Sequence, residues 1–137
     1  MADKTISALT AVTSLDGTEP LPLVQSSTTK KATVSQVLTG IIVTESGTSR
    51  TLTATDNAKI IYCTSASAVT ITTATGLGAG FNCTIIQGGA GKVTVAQGAS
   101  TTLVSYSSLF STMGQYAVIS LIAPVANTFV AAGNLGV

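Results

Sequence analysis

The chain has 137 residues and a mass of 13.6 kDa, room for one core and a short appendage and too little for a two-domain enzyme. Charged residues are only 8% of it, against a norm of about 25%, while the hydrophobic share is an ordinary 45%; 24 Thr and 15 Ser fill the positions that charge has vacated. A net charge of +1 offers no electrostatic footprint to nucleic acid or an anionic membrane, and the absence of His removes the commonest neutral-pH general base and metal ligand.

Residues 1–38 predict an extended arm. Short apolar clusters at Ile6/Leu9, Val12/Leu15 and Leu21/Leu23/Val24, an Asp16-Gly17 turn signal and the pair Pro20 and Pro22 leave no period of 2 or 3.6 long enough to bury a face of its own. Such a segment orders by laying its clusters on another surface, so Ile6, Leu9, Leu15, Leu21, Pro22, Leu23 and Val24 are the candidate docking residues. One short helix is compatible with Thr33 to Leu38, with Thr33 or Ser35 as N-cap and Gly40 as stop. The opening MADKTISALTAV lacks the continuous apolar core of a secretory signal, which points to synthesis in the cytoplasm.

From about Thr39 the pattern changes to period 2 and β-branched residues, and residues 39–137 predict a compact β-domain. Candidate strands are Ile41–Thr44, Arg50–Ala54, Lys59–Cys63, Val69–Thr72, Phe81–Gln87, Lys92–Val95, Thr101–Val104, Tyr116–Ile122 and Asn127–Ala132, with Val69 and Ile71 pointing inward. Gly76-Leu-Gly-Ala-Gly80, Gly88-Gly-Ala-Gly91 and Gln97-Gly98 read as hairpin loops between them. The expected fold is therefore all-β, a small antiparallel β-sandwich or barrel-like domain preceded by the extended arm; no repeat regular enough for a solenoid is visible. The longest uncharged apolar run, Tyr116 to Ala123, is far short of a membrane span, which takes roughly 20 residues.

The chemistry-bearing residues are sparse. All five acids, Asp3, Asp16, Glu19, Glu45 and Asp56, lie in the first 56 residues and none in the last 81; those of the arm read as scattered in a flexible region, and the facing carboxylates of a glycosidase are missing. Gly88-Gly-Ala-Gly-Lys92 is no phosphate loop, because Val93 stands where a magnesium-binding hydroxyl belongs and strand rather than helix follows. Cys63 and Cys83 lie within strands, where a thiol packs as a small hydrophobe; pairing them needs neighbouring strands with Cα atoms within about 7 Å. No His or nearby carboxylate activates either thiol, and two thiols do not make a zinc site. The reading is a non-enzyme without cofactor or metal. Most of the six aromatic residues fall in strand patterns that assign them to the core. A body so poorly charged, ending in the apolar tail Phe129 to Val137, predicts a close homo-oligomer in which that tail is buried.

Ile6-Ser-Ala-Leu-Thr-Ala-Val-Thr-Ser-Leu-Asp-Gly-Thr-Glu-Pro-Leu-Pro-Leu-Val-Gln25, continued by Thr29-Lys-Lys-Ala-Thr-Val-Ser-Gln-Val37, resembles the N-terminal segment of many tailed-bacteriophage virion proteins, among them tail fibres, head fibres and capsid decoration proteins. The body, through Leu52-Thr-Ala-Thr-Asp-Asn-Ala-Lys-Ile-Ile61, Val69-Thr-Ile71, Ile85-Ile-Gln-Gly-Gly-Ala-Gly-Lys-Val-Thr-Val95 and Gly114-Gln-Tyr-Ala117, is similar to a compact β-domain that recurs in phage structural proteins. The resemblance implies a homotrimer on the outer surface of the capsid, with the major capsid protein as partner. One compact domain without a long shaft favours a cement or decoration protein over the alternative, a short tail fibre or tail adaptor with a host-recognition role.

Overall fold

The structure, a computed structural model, describes residues 41–137 in full and, of the first forty, the backbone of residues 20–25 and 28–33. Thirteen strands appear in it: β1 (Pro20–Gln25), β2 (Thr28–Thr33), β3 (Ile42–Glu45), β4 (Ser49–Thr51), β5 (Lys59–Cys63), β6 (Val69–Thr72), β7 (Asn82–Gln87), β8 (Val93–Ala96), β9 (Thr102–Ser105), β10 (Ser111–Thr112), β11 (Val118–Val125), β12 (Thr128–Gly133) and β13 (Leu135–Gly136). Contacts divide the chain into two compact units, Met1–Thr39 and Gly40–Val137.

In the first unit β1 and β2 pair as an antiparallel ribbon, from Pro20 opposite Thr33 to Gln25 opposite Thr28. The expected arm is thus a hairpin over these residues. A two-stranded ribbon leaves each strand one open edge, where a proline costs no ladder hydrogen bond, so Pro20 and Pro22 do not forbid it. Thr33, offered as a helix cap, ends β2, and the rest of that candidate helix lies outside the described residues.

The second unit is all-β, as the alternation predicts, but its strands are not wound as hairpins. β3, β5 and β7 pair in parallel in one sheet, and β4, β6 and β8 pair in parallel in the other. The chain alternates between the two sheets, so each coil contributes one strand to each and coils stack as a solenoid. This corrects the antiparallel sandwich. Strand length and alternation are the same in both architectures; what differs is whether a loop returns beside its own strand or crosses to the other layer, and a glycine-rich loop serves either. The repeat is hidden because the coils are unequal: Ile42 stacks on Ile60, eighteen positions on, and Ile60 on Thr84, twenty-four on.

The corner glycines have a different reason from the one expected. Gly88 to Gly91 turn from β7 to β8 directly against the preceding corner, where the N–H groups of Gly88 and Gly89 donate to the Cys63 carbonyl and Gly91 to that of Ser65. A Cβ on Gly89 would lie 2.1 Å from the Ser65 carbonyl oxygen, and one on Gly91 1.9 Å from that of Ser67. Only glycine lets adjacent corners nest this closely.

Antiparallel strands close the far end. β11 pairs with β7, β12 with β11, β10 with β8 and β13 with β10, while β9 joins the outer edge of β12 in parallel. The result is a six-stranded sheet, β3-β5-β7-β11-β12-β9, facing a five-stranded one, β13-β10-β8-β6-β4. Ile61, Ile85, Ile119 and Leu121 from the first meet Val69, Ile71, Val93 and Val95 from the second, with Phe81 against Phe129 edge to face at 6.2 Å. β12 carries Phe129 and Ala131 into this core, and Leu135 packs against it. Phe129, Ala131 and Leu135 of the C-terminal tail are therefore covered within their own body and need no second copy to bury them, while Val137 stays 96% exposed.

The hydroxyls enter the interior as well as the surface. Thr112 is fully buried, donates to Gln87 Oε1 and accepts from the Val93 N–H at 3.0 Å. Thr73 and Thr101, both buried, bond to each other at 2.7 Å, and Thr73 also accepts from the Gly98 N–H at 2.9 Å. Buried hydroxyls with partners avoid the cost of an unmet donor or acceptor, which is how so Thr-rich a sequence still builds a core.

Candidate interaction surfaces

Of the predicted docking residues, Leu21, Pro22, Leu23 and Val24 fall on β1; Ile6, Leu9 and Leu15 lie outside the described residues. The ribbon thus brings the Leu21–Val24 cluster onto a single strand.

At the start of the solenoid a charged network occupies positions that later coils fill with uncharged residues. Arg50 stacks in register with Ile71 and Val95, and Glu45 with Cys63 and Gln87. Arg50 Nη1 donates to Glu45 Oε2 at 3.1 Å and Nη2 to Asp56 Oδ1 at 2.5 Å. Asp56, 1% exposed at the end of a one-turn 3-10 helix (Ala54–Asp56), also accepts from the Thr53 N–H at 2.8 Å and its hydroxyl at 3.1 Å. Burial opposes the Asp56 charge, yet the Arg50 hydrogen bond and the Thr53 N–H outweigh it and hold the carboxyl below its usual value. Burial likewise opposes the Arg50 charge, and the two carboxylates outweigh it and raise its pKa.

Glu45 and Asp56 are thus held in an ordered network, while Asp3, Asp16 and Glu19 lie outside the described residues. The signal was present in Thr53-Ala-Thr-Asp56, the spacing of a capping box, which marks an ordered turn.

Both cysteines are buried and free. β5 and β7 are neighbours, but Cys63 lies opposite Gln87 and Cys83 opposite Lys59, so the two thiols are four residues apart along the ladder. At about 3.3 Å per residue that is roughly 13 Å, beyond disulfide reach. Burial pushes Cys63 up to about 11 and Cys83 up to about 12. Neither is a thiolate nucleophile at neutral pH.

The two outward faces differ sharply. On the five-stranded sheet the outward rows are Ser49-Thr70-Thr94-Ser111 and Thr51-Thr72-Ala96. On the six-stranded sheet they are Ile42-Ile60-Thr84-Ser120-Ala132, Thr44-Tyr62-Ile86-Val118 and Asn82-Ile122-Val130-Val104. Both faces are uncharged, but only the second is dominated by large apolar side chains, with Ile42 at 63% and Ile122 at 48% exposure.

Two clefts border these faces. One of about 480 Å³ opens over β8 and β10, lined by Thr94, Ser111, Leu109, Phe110 and Val137. Another of about 380 Å³ lies between Tyr106–Leu109 and β12. Not all the aromatics are core: Phe81 and Phe129 are buried, whereas Tyr106 is 93% and Tyr116 69% exposed. Both tyrosines sit in loops that carry positive-φ residues, Ser107, Ser108 and Tyr116 itself.

Among the described residues no group of three His, Cys, Asp or Glu side chains gathers to hold a metal, and no helix is long and apolar enough to cross a membrane. No family model matches the chain, and no curated protein is similar to it at a significant level.

Proposed function

We propose that the protein is a non-enzymatic phage structural protein, which binds the assembled capsid through its N-terminal unit and stabilises the shell as a trimeric cement or decoration knob. The observation that carries the reading is the division of the chain into two compact units, with the apolar docking cluster of β1 in one and a charge-poor β-body in the other. The likeness of residues 6–25 and 29–37 to phage virion segments supplies the location, the outer surface of a virion assembled in a bacterial cytoplasm. A protein that binds the shell but not its dissociated subunits stabilises it by mass action, and several arms on one oligomer raise the effective concentration of each further contact.

The test is attachment and robustness of virions. Leu21→Ser with Leu23→Ser removes two apolar side chains, each contributing about 1.5–3 kcal/mol if fully buried. Occupancy on particles should fall, and the stripped particles should break at lower temperature or milder osmotic shock. Stripped particles as robust as complete ones that fail to adsorb to host cells would transfer the reading to a short tail fibre or adaptor. That alternative is favoured by the exposed Tyr106 beside its cleft, since exposed aromatic rings are platforms for sugars.

A further inference from the structure

We infer that the outward face of the six-stranded sheet is the surface on which a second copy of this chain packs. This deepens the oligomer in the reading above and rests on it.

The strands on the two sheets have the same alternation and a shared interior, so the outward positions were free to be equally wet on both. They are not. The five-stranded face presents a ladder of hydroxyls, and the six-stranded face presents Ile42, Ile60, Tyr62, Ile86, Val118, Ile122, Val130 and Val104 in three registered rows without one charge. Singly exposed apolar residues need no explanation, but eight large ones on one face of six strands, broken in the middle row by Thr84 and Ser120, do.

Area identifies the occupant. Six strands at about 4.8 Å and four to six residues at about 3.3 Å give a face of roughly 29 by 17 Å, and side chains standing off it bring its accessible area close to the roughly 800 Å² that each partner contributes to a standard interface. A two-stranded ribbon such as β1–β2 is only about 10 Å wide and would leave more than half of the face wet. A charged partner finds nothing to pair with. Among the described residues, the broad, neutral, apolar surface that matches this face is the same face on the other copies, gathered about a cyclic axis so that one half of each face meets the other half of its neighbour's.

Ser120 tests the idea because it lies near the middle of a row, between Thr84 and Ala132, and is small. Light scattering on the full chain at micromolar concentration should give a multiple of 13.6 kDa. Ser120→Arg should reduce the mass to that of one chain, and Thr70→Arg on the hydroxyl face should leave the multiple intact. In a parallel measurement that does not depend on the Arg variant folding, a thiol placed by Ser120→Cys should be shielded from a maleimide and one placed by Thr70→Cys should react at once. A single-chain mass for the unmodified protein overturns the inference. So does an oligomer that survives a folded Ser120→Arg, which would assign assembly to another surface, or a shielded Ser120→Cys in a chain of single-copy mass, which would mean that the chain's own first unit covers the face. The capsid reading fails separately, through Leu21→Ser with Leu23→Ser, whose mass should be unchanged whether or not the virion is bound.

Discussion

The two outward faces of the body cover one shared core and treat water in opposite ways. Thr70 and Ile60 both point outward from the middle coil, one among hydroxyls and the other among Ile42, Tyr62 and Ile86. A threonine is nearly isosteric with valine and keeps the β-branch that suits a strand, so exchanging one for the other changes hydration without changing propensity. The difference between the faces is therefore a difference of surface, and the shared interior is the control against which it is measured.

The largest expected effect comes from that control. Ile71 and Ile85 are each fully buried, one from each sheet, and Ile→Ala at either should cost about 2–5 kcal/mol in urea unfolding. A cost confined to one sheet would show that the layers do not share a core. Next is the charged network at the first coil. Arg50→Ala leaves the Asp56 carboxylate buried without its cation and should cost about 3 kcal/mol in the same assay.

Acid titration sharpens this. The Asp56 pKa is lowered on folding, so its contribution is present above the unfolded value of about 3.9 and lost as pH falls through the lower folded one. Stability of the parent should drop on acidification below about pH 4, and Arg50→Ala should flatten that drop. Cys63 and Cys83 work in the opposite direction: raised on folding, their contribution is complete below the unfolded thiol value of about 8.5 and is lost as pH rises toward about 11 and about 12. Neither thiol should react with a disulfide reagent at neutral pH until the protein unfolds.

The smallest effect on folding is at the surface itself. Ile86→Thr on one face and Thr94→Val on the other should each change the unfolding free energy of a single chain by less than about 1 kcal/mol. Their consequences for association should differ, with Ile86→Thr weakening self-assembly and Thr94→Val leaving it unaltered. Equal behaviour of the two would erase the distinction between the faces.

Much of this was legible. Lys59–Cys63 and Val69–Thr72 are strands with the bounds that alternation predicts, and Val69 and Ile71 point inward as expected. What alternation does not carry is the partner of each strand: Val69-Thr-Ile-Thr72 has the same pattern whether it lies beside a hairpin mate or beside Val93–Ala96 of the next coil. The short strands β10 and β13 lacked enough residues to show a period. Arg50 and Glu45 were hidden for another reason. A charged residue at an inward position reads as a broken pattern, and only the stacked coils reveal that it lies at the end of a core. The hydropathy of Ile60, Tyr62 and Ile86 was visible in the sequence, but their collection on one face required the register.

Stacking has a consequence for how the body opens. Each coil touches chiefly the coil before and the coil after, so its stability is close to a sum of nearest-neighbour terms along one dimension. Among the described residues the first coil, β3 and β4, has a neighbouring coil on one side, whereas β7 and β8 lie between the middle coil and the antiparallel strands that close the far end. Amide exchange should accordingly run as a gradient, fastest at Ile42–Glu45 and slowest at Asn82–Gln87, and the molecule should fray from its charged end like a zip while the antiparallel end still holds.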